Sequence, residues 1–455
     1  MRGAIAAGHP STAAAGAQVL ASGGNAVDAA VAAVLAAFVA EGPLTGPAGG
    51  GFILVADPGR EPVLYDAFFA APTGSYGEVE DVVVDFGDAS TQTFRVGPGT
   101  AAVPGLVAGL EHVHRAHGRH AWEALVQPAV DLAREGVDVN EAQAFLHTIL
   151  AAILQREKAG RRIYGRPGRV VTDELVPALE ALRDRGAAAV PELLPDLAGD
   201  LAAYRVAPKA PLRVDFVGHD VVTTPAPSKG GTVVAGALAE LEARGLGGPP
   251  GTAEAASRLV AALVAGYGGP APRAPLTGTT HVSVVDADGT AVGISSTLGS
   301  GSGAFRHGFQ LNNMLGELDV IGHEPIPPGE RLASMMAPTL VLAGRRPRVV
   351  LGSAGSVRLA GAIVQVIASV VGHGLGVVDA IDRPRLHAEG EGVHLEGGWA
   401  PDVGDRLEEE GQPVVRWAGR NLFFGGVSAV ELRDGRELAA AGDPRRGGAG
   451  TVVAR

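Results

Sequence analysis

The chain has 455 residues, with Lys+Arg 37 against Asp+Glu 49 and a formal net charge of −12. Hydrophobic residues at 46% and charged residues at 19% describe a globular chain long enough for a sizeable core. An acidic chain whose three lysines (Lys158, Lys209, Lys229) are scattered lacks the clustered cations that nucleic-acid phosphates need, and zero cysteines exclude disulfides, thiolate metal sites and cysteine nucleophiles. The opening MRGAIAAGHPST shows no charged segment followed by an apolar one, so no signal peptide is expected. The longest apolar run, Ala29–Ala40, has 12 residues where a membrane span needs about 20. A soluble, cytoplasmic protein with no membrane partner is the expectation.

Ser11 or Thr12 is positioned to cap a first helix ending at Gly23-Gly24, and Asn25 to cap the alanine-rich helix that runs to about Ala40 as a buried element. The triple glycine Gly49-Gly50-Gly51 precedes an apolar run, Phe52 to Val55, that reads as a buried strand. Apolar spacing at i, i+3, i+4 makes residues 103–150 mostly helical, followed by an arginine-rich helical stretch to about residue 215. A loop at 225–231, PAPSKGG, feeds a helix over 232–243. The Pro/Gly-rich segment 266–278 reads as an exposed, flexible connector. Beyond it, TTHVSVVD at 279–286 and TAVGISST at 290–297 form a hairpin through Ala287-Asp288-Gly289. Residues 339–345 and 347–352 pair as strands, and Val357 to Val371 is an apolar helix. Strands and helices come in runs rather than alternating, which predicts an α+β fold.

The junction Leu276-Thr-Gly-Thr-Thr-His-Val-Ser283 carries the chemistry. Were the Gly278–Thr279 bond cut, Thr279 would hold a free α-amine of pKa about 8 beside its own hydroxyl. One residue would then supply both nucleophile and base. Glycine at 278 leaves the carbonyl open to attack by the Thr279 hydroxyl. By spacing alone, a threonine opening a strand is better read as structural.

Ordered stretches along nearly the whole chain resemble the γ-glutamyltranspeptidase family of N-terminal-nucleophile hydrolases. They include HPSTAAAGAQVLASGGNAVDAAVA, GPAGGGF at 46–52, VPGLVAGLE at 103–111, PAVDLAREG at 128–136 and PAPSKGG. TTHVSVVDADGTAV at 279–292, LNNM at 311–314, APTLVL at 337–342, AIDRPRLH at 380–387 and AAGDPRRGGAG at 440–450 continue the series. The resemblance implies a four-layer αββα sandwich and autocatalytic cleavage at Gly278/Thr279. Segments 1–278 and 279–455 would then be intertwined subunits of one precursor. It also implies Thr279 as nucleophile, Thr297 as the hydroxyl supporting the new amine, and Gly355-Ser356 as the pair whose N–H groups form an oxyanion hole. No cofactor or metal is implied; the partner is a small-molecule substrate, and the resemblance allows a homo-oligomer.

The acyl pocket departs from the family pattern. Where the family has an arginine for the substrate α-carboxylate this chain has Phe68, and its amine-holding aspartate corresponds to Glu317. The family's asparagine falls on Gly299 and its glutamine on Met314; of its paired serines, Ser334 remains and the other is Met335. Losing the cation that pairs a carboxylate costs roughly 2–5 kcal/mol. The expectation is therefore an amide-cleaving or acyl-transferring enzyme of altered, less polar acyl specificity. The alternatives are a family member recruited to a biosynthetic pathway to cut an unusual C–N or C–C bond, and a non-catalytic binding protein on the same fold.

Other clusters read as structural. His112, His114, His117 and His120 do not share one helix face, which makes a solvated helix terminus the better reading than a metal site. GSGSGA at 299–304 is followed by no amphipathic helix, so it reads as a mobile loop beside the acyl pocket rather than a dinucleotide fingerprint. His281 shares the Thr279 face of its strand and reads as packing or hydrogen bonding. LEEEG at 407–411 reads as a solvated helix end.

Overall fold

The computed structural model describes residues 2–85, 91–272, 278–390 and 392–454. The hairpin Gly278–Asp286 and Ala291–Gly299 lies at the centre of a seven-stranded sheet. Gly3–Ala7 and Ala449–Val453 extend that sheet on one side; Gly50–Ala56, Val63–Ala67 and Ala207–Lys209 extend it on the other. A six-stranded sheet faces it, ordered Glu437–Ala441, Gly426–Arg433, Arg346–Ala354, Thr339–Ala343, His219–Thr223, Leu212–Phe216. Neighbouring strands in both sheets are antiparallel. The helices lie on the outer faces, giving the expected four-layer αββα arrangement. Both sheets draw strands from either side of position 278, so the segments 1–278 and 279–455 share one core.

Strand periodicity divides that core. On the Gly278–Asp286 strand, Val282 and Val284 pack with the fully buried helix Ala26–Ala40, while Val285 joins the cluster between the sheets. His281 also points between the sheets, its Nδ1 2.8 Å from the Ser295 hydroxyl and its Nε2 2.9 Å from that of Ser283. Ser283 in turn donates to the Ser428 carbonyl of the facing sheet at 3.0 Å. Glycine is required opposite: a Cβ at Gly352 would sit 2.3 Å from His281 Nδ1. Burial lowers the His281 pKa to about 3, so the imidazole is a neutral, hydrogen-bonded packing group.

Several expectations change. The first helix, Pro10–Ala21, is capped by the His9 ring, which accepts from Ser11 N at 3.1 Å; the Thr12 hydroxyl is already committed to Glu41 at 2.7 Å. Asn25 does cap the second helix, in a reciprocal box with Asp28. The arginine-rich stretch stops being helical at Ala203 and continues as strands. The 229–244 helix begins within the PAPSKGG motif. In the expected exposed connector, Ala271 is buried and exchanges backbone hydrogen bonds with Ala388 and Gly390; residues 273–277 lie outside the described residues. Residues 300–304 are buried and hydrogen-bonded, so the GSGSGA run is a fixed turn, not a mobile loop. No described helix is long and apolar enough to cross a membrane.

A buried ionic cluster ties the C-terminal segment to the core. Asp443 accepts from Arg385 at 2.5 Å and from Arg445 at 3.2 Å, and Arg445 also pairs with Glu396. Burial alone would raise the Asp443 pKa, but the two guanidiniums hold it below the usual carboxylate range. Arg385 also donates to the carbonyls of Phe424 and Gly425. The Asp443→Asn variant, which leaves two buried guanidiniums short of counter-charge, is predicted to lose about 3–5 kcal/mol in chemical denaturation. Because the folded pKa is depressed, this contribution is present above about pH 4 and fades as acid takes the pH through the lower folded value.

Candidate active site

The hairpin register is regular except at its open end. Thr279 lies opposite Thr297 and Gly278 opposite Gly299, so Leu298 is the extra residue of a β-bulge. Its N–H goes to the Leu44 carbonyl at 3.0 Å and its carbonyl accepts from Asn313 N at 3.1 Å. The bulge brings the Thr297 hydroxyl onto the Gly278 carbonyl, to which it donates. The Thr297 hydroxyl oxygen in turn accepts from Gly299 N at 2.8 Å and from the Thr279 hydroxyl at 3.4 Å. Both threonines are buried, at 4% and 5% exposure.

Thr279, Thr297, Phe68, Gly299, Met314, Glu317, Ser334, Met335 and Ser356 line one small pocket. The fold thus brings together the candidates that the sequence spreads over almost 300 positions. Gly278 precedes Thr279 on the strand and Gly355 precedes Ser356. Val320, Met336 and Leu359 complete the lining; no motif singled them out.

The Gly355-Ser356 turn links the strand Arg346–Ala354 to the helix Arg358–Ile367. Gly355 has φ +129° and a Cβ there would sit 2.8 Å from Gly425 Cα, so a side chain is excluded. Ser356 has φ +55°, a left-handed conformation that costs a non-glycine residue roughly 1–2 kcal/mol. Among the described residues no backbone acceptor takes either N–H, and the Ser356 hydroxyl has no hydrogen-bond partner. Two free N–H groups at a helix start form a site suited to negative charge.

The wall of the pocket formed by Phe68, Met314 and Met335 is apolar. The Phe68 ring stacks on Phe52 with centroids 5.1 Å apart. Glu317 is the one carboxyl in the lining; it accepts from the Ser300 N–H at 2.9 Å and hydroxyl at 2.6 Å, and burial raises its pKa. No Arg or Lys lines the cavity. Lys209 and Arg331 both pair with Asp66 instead, at 2.6 and 3.4 Å. Gly299, with φ +68°, leaves no room for the family's asparagine: a Cβ would stand 2.3 Å from Asn313 Oδ1 and 3.2 Å from Met314 Sδ.

The PAPSKGG motif has a supporting role that the sequence did not disclose. Ser228 donates to the Met336 carbonyl at 2.7 Å and Lys229 N to the Ser334 carbonyl at 2.7 Å. Gly230 packs so closely that a Cβ would fall 1.7 Å from the Met335 carbonyl oxygen. Ser334 and Met335 are therefore set from behind. The four histidines are engaged in structural contacts: His117 meets the Tyr65 hydroxyl and His112 its ring, His120 the Ser22 hydroxyl, and His114 the His120 carbonyl.

Comparison with known proteins agrees with this architecture. The gamma-glutamyltranspeptidase family pattern matches residues 12–187 and 251–453. The glutathione hydrolase proenzyme of Escherichia coli K12 is 27% identical, over 94% of this chain and 88% of the relative. The acylase ACY 1 proenzyme of Pseudomonas sp. V22 is 29% identical, over 97% of this chain and 91% of the relative. The cephalosporin acylase structure from Bacillus halodurans superposes with a TM-score of 0.85 at 20% identity, covering 99% of this chain and 95% of that one. The chain belongs to the gamma-glutamyltranspeptidase family and is an enzyme of the N-terminal-nucleophile hydrolase/transferase type.

Proposed function

We propose that the chain cuts itself between Gly278 and Thr279 and then uses Thr279 to form an acyl-enzyme on an amide-type substrate with a largely apolar acyl group. The observation that carries the reading is the bulged register, which sets the Thr297 hydroxyl against both the Gly278 carbonyl and the Thr279 hydroxyl. In self-cleavage the Thr279 oxygen adds to the Gly278 carbonyl carbon, whose oxygen is polarised by the Thr297 O–H. The C–N bond breaks, the hydroxyl proton ends on the departing nitrogen, and water hydrolyses the resulting ester. The products are a Gly278 carboxylate and a free Thr279 amine.

In turnover that amine accepts the Thr279 hydroxyl proton as the oxygen attacks the substrate carbonyl. The Gly355 and Ser356 N–H groups are suited to hold the oxyanion, a donor of this kind being worth about 3–4 kcal/mol. The leaving amine takes the proton, and water or an acceptor amine then releases the acyl group from Thr279. Two relatives bear the name acylase, which supports acyl chemistry on an amide-type substrate.

Phe68, Met314 and Met335 favour an apolar acyl chain, and Glu317 with Ser334 offers a hydrogen-bonding group at its end. A substrate carboxylate would enter a cavity without a lining cation and beside a buried acid.

Intact mass of the purified protein is expected to show fragments 1–278 and 279–455, and the Thr279→Ala variant a single chain; a single uncut wild-type chain that turns over substrate overturns the mechanism. Across a panel of p-nitroanilides, short neutral acyl groups are expected to exceed γ-glutamyl in kcat/KM by roughly 30-fold or more, the energy of the missing ion pair. Preference for γ-glutamyl contradicts the pocket reading. Phe68→Arg is expected to narrow the gap by raising γ-glutamyl hydrolysis at least about tenfold.

A further inference from the structure

Beneath the hairpin, on the face away from the cavity, lies a carboxyl that the turnover chemistry does not use. Glu41 follows the buried helix Ala26–Ala40 and is 3% exposed. Its Oε2 accepts from the Thr280 hydroxyl at 2.6 Å and its Oε1 from the Thr12 hydroxyl at 2.7 Å. Among the described residues it has no ion-pair partner, and a buried acid without a cation is costly to keep. Gly8 makes space for the pair: a Cβ there would sit 2.4 Å from Glu41 Oε2 and 2.6 Å from the Thr280 hydroxyl oxygen.

The residues that follow Glu41 reach the other strand of the hairpin. The Leu44 carbonyl takes the N–H of Leu298, the bulged residue, and Thr45 donates to the Ser296 hydroxyl at 2.9 Å. Residues 41–45 therefore grip both strands one residue from the scissile bond: Thr280 on one side, Ser296 and Leu298 on the other. A slip of either strand would withdraw the Thr297 hydroxyl from the Gly278 carbonyl.

We infer that Glu41, acting through Thr280, is a positioning residue for self-cleavage at Gly278–Thr279, holding the hairpin in its bulged register. This rests on the self-cleavage proposed above, in which the Thr279 oxygen replaces its own nitrogen on the Gly278 carbonyl. Glu41 touches neither reacting atom and exchanges no proton with them.

The test follows appearance of the 279–455 fragment by mass after cell-free synthesis of the full chain. Thr280→Val, which removes the hydroxyl at constant volume, is expected to slow cleavage about tenfold or more, whereas Thr280→Ser restores it to within about threefold of wild type. Glu41→Leu is expected to slow cleavage similarly, and the double variant to be no slower than the worse single one. Adding Thr280→Val to the uncut Thr279→Ala chain is expected to leave the melting temperature within about 3 °C. Cleavage of Thr280→Val at the wild-type rate, equal slowing by Thr280→Ser, additive losses, or slowing that tracks loss of folded protein would each overturn the inference. A wild-type chain that stays whole instead overturns the self-cleavage on which it rests.

Discussion

A single unmade ladder bond organises this site. Leu298 gives its N–H to Leu44 rather than to the neighbouring strand, and that one inserted residue sets Thr297 beside the Gly278 carbonyl. Everything else in the site depends on this register. Were the hairpin regular to its end, the Thr297 hydroxyl would lose its place against the Gly278 carbonyl oxygen and the Thr279 hydroxyl. The fold supports the irregularity from both faces: the 41–45 segment holds it from the helical side, and the Asn313 N–H fixes Leu298 from the cavity side.

The pocket is shaped by where the charges are spent. Near the cavity, Lys209 and Arg331 pair with Asp66 and Arg358 with Glu389 at 3.0 Å, while Lys229 Nζ donates to the Val320 carbonyl at 2.8 Å. The lining is left with hydroxyls, a buried acid and a wall of Phe and Met side chains. On the proposed reading such a lining favours an apolar acyl group, since a carboxylate would have to shed its water and meet no lining Arg or Lys. The Gly355-Ser356 turn, proposed above to hold the oxyanion, is different in kind, because it offers backbone N–H groups. Ser356 can replace a glycine there provided it accepts φ +55°, and the close approach of Gly425 to Gly355 helps hold it.

Much of this was readable in the residues. The alanine-rich buried helix, the Asn25 cap, the 279–297 hairpin and the 339–352 strand pair each follow from a local pattern that tertiary packing reinforces. The resemblance-based site residues converge on one cavity because the family's order of motifs is an order of sheet edges and turns. Where local reading failed, a distant group had intervened. The helix starts at Pro10, so Thr12 lies inside its first turn with its hydroxyl on Glu41, and the His9 ring is the cap. The glycines of 299–304 signalled flexibility, yet they are there for close packing: a Cβ at Gly301 would overlap the Gln310 side chain at 1.5 Å. The Glu41–Thr280 pair spans 239 positions and leaves no mark in either neighbourhood.

Mass mapping of a trapped covalent adduct bears most directly on the central idea, that position 279 attacks with its own hydroxyl. Brief exposure of the enzyme to a slowly deacylating neutral acyl donor, followed by acid quench and peptide mapping, should show the acyl mass on the 279–455 fragment alone, at its first residue. An adduct on any other residue, or turnover with no adduct on that threonine under any trapping condition, would contradict the account.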